Sequence, residues 1–457
     1  MATSSRKRPA KRPAQEAEER TERIVEVLGD AFAPLMSADP TAFRGKYRKI
    51  AKDPHAFYRG TACLFYADVA DANGAPEDTG ADWVDARSGR IWIHGDLHVE
   101  NFGTYLDADG RLVFDVNDFD EAYLGRWTWD LQRFAASLAL VGWQKALPED
   151  AVRSLAAAYV GAYLDQVDAY RATDDDSGDF ALRLDNTEGP IHDVLVAARQ
   201  MRRADLLESQ TQGHGERMFR EDASIRRLGV EEQSSVVEAY RRYLGTIPGD
   251  RRRGELFYEL RDVVGKSGFG IGSAGLPAYS LLIEGHSQAL DNDVVLSMKQ
   301  ANVPAVSRFV DTSDVESYFE HEGHRTVVSQ RALQAHTDPL LGWTEIDGTG
   351  YVVSEVSPYE LDLSWEDLVE PDQIAQVVAH LGRATAKVHC ASDSDSAQDL
   401  VDFQVEEAVS ASVGDRREEL VDWVVDFGVR YAEQVRTDHA LFVEAFRSGR
   451  IGVAATG

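Results

Sequence analysis

Apolar residues recur at helical spacing at Ile24, Val27, Leu28 and Phe32, so the pattern predicts a helix over about Glu16 to Leu35 and a second over His55 to Ala72. A Gly-, Asp- and Pro-rich loop, Asn73 to Asp82, separates the second helix from a short apolar strand, Ile91 to Ile93. Two further strands are predicted at Thr104 to Leu106 and Leu112 to Val116, joined by the turn Asp107 to Gly110. From Trp129 to about Tyr170 the period is helical again, as it is over Ile191 to Leu207 and Glu231 to Leu244. The character then changes. Val263 to Ile283 is Gly-rich and strand-like, a turn follows at Asp291 to Asp293, and Val294 to Ala301 reads as a strand. A helix around Ser313 to His336, two strands around Trp343 to Val356 and helices from Pro371 onward complete the pattern, without an internal repeat.

Composition narrows the partners. The 457 residues carry 48 basic and 78 acidic side chains, a formal charge of −30. The averaged field therefore repels nucleic acid and anionic lipid, and any phosphate site must be local. The longest apolar run, Phe134 to Trp143, is far too short to span a bilayer. The basic start, residues 1–15, lacks the apolar stretch of a secretory signal and reads as a disordered arm. Cys63 and Cys390 stand alone and read as small buried hydrophobes, so a cytoplasmic location is expected.

Candidate chemistry concentrates in two neighbouring stretches, IHGDLHVENF at Ile93 to Phe102 and VFDVNDFDEA at Val113 to Ala122. Crowded carboxylates repel one another unless a cation or a proton transfer uses them. On a loop after a strand, Asp96 can reach a substrate hydroxyl while Asn101 coordinates a divalent ion. Asp118 is then the expected second metal ligand, with Asp115 and Asp120 as rivals; such hard oxygen donors suit Mg²⁺. Taken singly, the pieces also fit a cap, solvated loop acids or a calcium site. His94 and His98 have no third soft ligand nearby, which argues against zinc.

HGDLHVEN at His94 to Asn101, DFDEAYLG at Asp118 to Gly125 and TWDL at Thr128 to Leu131 resemble the kinase-like phosphotransferases of the aminoglycoside and choline kinase type. The resemblance implies ATP and Mg²⁺ as cofactors, Asp96 as the catalytic residue that accepts or orients the hydroxyl, and His94 and Asp130 as structural supports of the catalytic loop. Gly270 to Gly275, GIGSAG, is followed by a proline and a strand-like run, which favours a hairpin folded over phosphates above a helix-capped turn. Gly270, Gly272, Ser273 and Gly275 are its candidate nucleotide-binding residues, and Lys299, an ammonium in an apolar strand, is expected to meet the phosphates. Glu316, Glu320 or Glu322 is expected to orient Lys299.

The order of these motifs is reversed from an ordinary kinase. Val378 to Asp393 is similar to the helix that directly precedes H-G-D in phosphotransferases, yet it lies near the C-terminus. The pieces suggest an α+β, two-lobed kinase-like fold that is circularly permuted. Residues 16–254 would begin a large catalytic lobe, 255–360 would form a small nucleotide-binding lobe, and 361–457 would return to the large one.

The whole chain resembles the bacterial domain of unknown function 2252 family, in HAFYRGTACLFYADVA at His55 to Ala70, the segment from Asp118 to Leu138, VVGKSGFGIGSAG at Val263 to Gly275 and QRALQAHTDPLLGW at Gln330 to Trp343. That resemblance carries no substrate. Arg59 and Arg331 lie in these pieces and are expected to pair with acids within the fold rather than to bind an anionic group, while Arg251 to Arg253 read as a solvated surface. The expected function is ATP-dependent phosphorylation of a hydroxyl on a small molecule or protein. AMP transfer and non-catalytic nucleotide binding are the alternatives.

Overall fold

In the computed structural model, residues 13–451 are described apart from 71–78, 174–179, 214, 267–275, 314, 316, 335 and 397. The fold is mixed α+β. Helix α1 (Pro13–Ala38) begins three residues earlier than its periodicity suggests, within the stretch read as an arm. A helix unmarked by the periodicity, α2 (Pro40–Ile50), follows at once, because Asp39 accepts the amides of Thr41 and Ala42 and Pro40 occupies the first turn.

The single helix expected from His55 is two, α3 (Pro54–Arg59) and α4 (Ala62–Val69), interrupted at Gly60, a poor helix former that caps α3. The stretch expected as helical from Trp129 to Tyr170 likewise divides into α5 (Trp127–Gln144) and α6 (Glu149–Arg171), because Pro148 has no amide to continue the ladder. α5 is buried along most of its length, which accounts for the apolar run at its centre.

Before α5, β1 (Ile91–Ile93) runs into the segment His94 to Asn101, and β2 (Phe102–Leu106) and β3 (Leu112–Val116) form the expected hairpin. Asp107 tightens its turn by accepting the amides of Asp109 and Arg111. β4 (Tyr123–Gly125) pairs antiparallel with β1 and so brings the two acidic stretches together. After α6 come α7 (Gly189–Arg199) and α8 (Arg203–Gln210), then the short strands β5 (Thr211–Gln212) and β6 (Met218–Phe219).

The strand-rich middle forms one antiparallel six-stranded sheet from β7 (Ile225–Arg226), β8 (Leu260–Lys266), β9 (Ala278–Ile283), β10 (Val294–Gln300), β11 (Gly342–Ile346) and β12 (Thr349–Glu355). Its order is β11-β12-β10-β9-β8-β7. Successive side chains alternate faces. Leu281, Leu296 and Val353 meet Val236 and Tyr243 of α9 (Val230–Tyr243), while Leu282 and Val295 cover Leu207 and Phe219 on the other face. α10 (Glu322–Gln334) starts well after Ser313, where its periodicity suggests it should.

α11 (Pro371–Cys390), α12 (Val405–Val413) and α13 (Arg417–Arg447) join α1 to α7 around a single large core. Gly382 allows α11 to press against α6, since a Cβ there would stand 2.3 Å from the carbonyl oxygen of Tyr159. Aromatic stacking of Trp127 on Tyr163 and of Phe134 on Tyr159 fastens α5 to α6.

Candidate active site

The loop after β1 is held from behind by Asp130 in the first turn of α5. Its carboxylate accepts the amides of His94 at 2.7 Å and Gly95 at 3.0 Å, and meets His389 Nε2 of α11 at 3.0 Å. Burial alone would raise the Asp130 carboxyl, but the hydrogen bond and charge of His389, together with His94, hold it below the ordinary range. Gly95 adopts φ +80°, and a Cβ there would lie 2.1 Å from the Glu121 carbonyl oxygen. Only glycine fits where the two acidic loops touch. The His94 ring joins them as well, accepting the Asp96 amide at Nδ1 and donating from Nε2 to Asn117 O at 2.8 Å.

Asp96 therefore emerges from a backbone with little freedom. Arg133 of α5, fully buried, donates from Nε to its Oδ1 at 2.7 Å and also from Nη2. Arg133 is in turn stacked on the ring of Tyr58, 4.4 Å from its centroid, and donates to Tyr58 O. Asn101 donates from Nδ2 to the carbonyl of Asp96 at 3.0 Å, which leaves its Oδ1 as the atom suited to a cation.

In the second loop, Asp118 sits at φ +61°, a conformation that costs a non-glycine residue energy and is sustained only by its surroundings. Burial, and then the nearby charge of Asp96, raise its carboxyl above the ordinary range; burial and Asp118 push Asp120 up to about 6. Among the described residues neither carboxylate accepts a hydrogen bond. Burial pushes Glu121 up to about 7 even though it accepts the amide of Ala305. Arg325 of α10 braces this loop, donating to the carbonyls of Asp120 at 3.0 Å and Ala122 at 2.9 Å. Asp115, the third rival, is not on the cleft wall: its carboxylate is buried against Lys387 Nζ of α11 at 2.5 Å.

Asp96, Asn101, Asp118, Asp120 and Lys299 line one cleft of about 810 Å³ between the helices and the sheet. Lys299 stands on β10 opposite Ala278 and Val352, and its charge is felt at Asp118, Asp120 and Glu360. Gly270, Gly272, Ser273 and Gly275 lie outside the described residues, as does Glu316. Glu320 accepts from Trp343 Nε1 at 3.3 Å, and Glu322 pairs with Arg325 at 3.0 Å.

Several cleft residues carry no signal in the sequence. After β12 the chain crosses onto β2, where Thr104 donates from its amide to Leu361 O and from Oγ1 to Tyr359 O. This crossing brings Glu360 into the cleft, where burial and Asp338 raise it to about 7. Arg133 and Arg325 were legible only as charges inside helical patterns; their partners lie on other elements. Arg59 pairs with Glu100, as expected. Among the described residues Arg331 pairs with no acid: it donates to the carbonyls of Leu341 and Thr246, and burial lowers it to about 10. Arg251 is not simply solvated either, since it donates to Thr337 Oγ1 at 3.0 Å.

Among the described residues no three His, Cys, Asp or Glu side chains converge as a metal cage. Asn101 Oδ1 and the Asp118 carboxylate nevertheless form the sparse, hard-oxygen set that fits Mg²⁺, an ion that keeps waters and shares phosphate oxygens. No described helix is long and apolar enough to cross a membrane.

An acid-rich wall facing a lysine-bearing antiparallel sheet defines a mixed α+β protein with one large polar cleft. Over residues 38–445 the chain matches the family described as "Uncharacterized protein conserved in bacteria (DUF2252)", and it belongs to that family. No curated protein and no solved structure matches it.

Proposed function

We propose that the protein is an ATP- and Mg²⁺-dependent phosphotransferase acting on a hydroxyl, built on a circularly permuted, two-lobed kinase-like fold. The observation that carries this reading is the meeting of Asp96, Asn101 and Asp118 with Lys299 across one cleft, although the lysine follows the acids by most of the middle of the chain. The permuted arrangement draws support from α11, whose His389 and Lys387 reach Asp130 and Asp115 behind the catalytic loop.

Bound Mg·ATP would supply the transferable group: the acceptor oxygen bonds to the γ-phosphorus, the bond from that phosphorus to the bridging oxygen breaks, and ADP leaves. Asp96 orients the acceptor hydroxyl and takes its proton on Oδ2, because Arg133 holds Oδ1 and so fixes the carboxylate plane. Asn101 Oδ1 and Asp118 would hold the metal, which also answers the crowding that raises Asp118. Lys299 steadies phosphate oxygens from the sheet side as a point charge, and apolar Leu276 and Val294 line the same cleft where a purine ring needs cover.

Thermal unfolding with ATP, with and without Mg²⁺, tests the reading. Mg·ATP should raise the melting temperature of the intact chain, adenosine should do much less, and Lys299→Ala should weaken the first response far more than the second. Equal loss of both responses would show that the substitution merely damages the sheet.

A further inference from the structure

On the helical side of the cleft stands a buried ammonium. Lys46 of α2 is 3% exposed, lines the cleft, and has no hydrogen-bond acceptor among the described residues. It lies over the ring of Phe32, 4.1 Å from the centroid, and 5.5 Å from that of Phe43. Its charge is felt by Cys63, Glu121 and Asp96, with which it shares the cleft. Burial lowers it to about 8, so it keeps its proton at neutral pH.

Aromatic faces stabilise a cation but take up none of its three N–H bonds, so where Lys46 lines the cleft these donors can serve a ligand there. Arg59 is paired with Glu100, and Arg308, which donates to Ala31 O at 3.3 Å, also lines the cleft. Lys46, Arg59 and Arg308 thus all line the cleft of a protein whose overall charge is strongly negative.

We propose that Lys46 is the anchor of an acceptor subsite for a small hydroxyl compound bearing a carboxylate or phosphate. The oxyanion accepts from Lys46 Nζ between the rings and the two arginines, and the hydroxyl lies at Asp96. Phe32 and Cys63 supply the apolar floor, so a compact acceptor is preferred to a bulky one. This deepens the phosphotransferase reading and rests on it for the role of the hydroxyl, though not for binding of the anion.

The test is a titration of the full chain, with Mg·ADP present, by inorganic phosphate, glycerol 3-phosphate, glycerate and, as the neutral control, glycerol. The charged probes should bind saturably at millimolar concentration and glycerol should not. Lys46→Met, which keeps the length and removes the donor, should weaken the charged probes by about tenfold or more while the ADP response stays. Phosphate should also shield Lys46 from a small acylating reagent in the unsubstituted chain, read by mass spectrometry, a measurement that needs no variant to fold. Unshielded Lys46, or equal binding of charged probes to Lys46→Met and the parent, would overturn the subsite. Lys46-dependent anion binding in a chain indifferent to Mg·ATP would keep the subsite and reject the transfer reading instead.

Discussion

Arg133 and Asp96 form a lopsided pair: the guanidinium is completely buried, while the carboxylate it holds at 2.7 Å is 17% exposed at the cleft. Each needs the other for a different reason. Without Asp96 a buried cation is left uncompensated; without Arg133 the carboxylate loses its orientation. Asp96→Ala is therefore expected to lose about 3–5 kcal/mol of stability, and Asp96→Ala combined with Arg133→Met to recover much of it. Urea midpoints of the three chains check this. The milder Asp96→Asn keeps an oxygen for Arg133 and should fold, retain Mg·ATP binding and lose transfer by about 10²–10⁴-fold. Normal turnover in Asp96→Asn would remove the residue from the mechanism.

The three rival acids of the second loop should separate in one experiment. Asp118→Ala is expected to lose the extra stabilisation that Mg²⁺ adds to ATP, because it removes the carboxylate proposed to hold the metal with Asn101. Asp115→Ala should instead lower stability by about 3–5 kcal/mol with or without nucleotide, since Lys387 would be left buried without its partner. A lost Mg²⁺ increment in Asp120→Ala with an ordinary one in Asp118→Ala would reassign the ligand.

Acid should weaken the fold through two histidines. Burial and the charge of Arg59 hold His55 down to about 4 and His98 well below its ordinary value. The unfolded chain protonates both near pH 6.5, so below that pH it binds more protons than the folded one. Their contribution, on the order of 3 kcal/mol for His55, is complete above about pH 6.5 and is lost as pH falls towards 4. Asp120, Glu121 and Glu360 act with the opposite sign, because their raised carboxyls take up protons first in the folded state. The histidine part is thus isolated by difference. Melting temperature should fall less steeply between pH 6.5 and 4 in His98→Asn, which keeps an acceptor for the Glu100 amide, than in the parent. Identical slopes would contradict the assignment.

Ending the chain at Glu370 removes both His389 and Lys387, leaving Asp130 and Asp115 buried without their cationic or imidazole partners. It also strips Leu381, Ala384 and Val388 from the core, at about 1.5–3 kcal/mol for each large apolar side chain. The shortened chain should fail to fold cooperatively, as read by near-ultraviolet circular dichroism and denaturant titration. A native spectrum and an intact Mg·ATP response would separate α11 from the catalytic loop and undo the permuted arrangement.

What was legible in the sequence is local. The strand Ile91–Ile93, the hairpin ending at Val116 and the strand bearing Lys299 announce themselves by short apolar runs and turn residues. Helix limits depart from the apolar period where one residue overrides it, as at Gly60 and Pro148. Residues that act through distant partners were not legible at all. Arg133 meets Asp96, Arg325 meets the Asp120 carbonyl, and Lys387 meets Asp115 only after the chain has folded. Lys46 lies in a segment that the periodicity leaves unmarked and looks like any surface lysine until Phe32 and Phe43 pack against it. Glu360 reaches the cleft because a connecting segment lies along β2, a placement that no periodicity encodes.

The central claim, phosphoryl transfer to a hydroxyl with Asp96 as the base, is tested most directly by following the fate of labelled ATP. The full chain is incubated with Mg²⁺, a bacterial extract as the source of acceptors, and ATP labelled either at the α- or at the γ-phosphorus, with Asp96→Asn run in parallel. Label from the γ-phosphorus should appear on an acceptor, the α-label should stay in ADP, and Asp96→Asn should abolish the transfer. Transfer of the α-label, or γ-transfer that persists in Asp96→Asn, would contradict it.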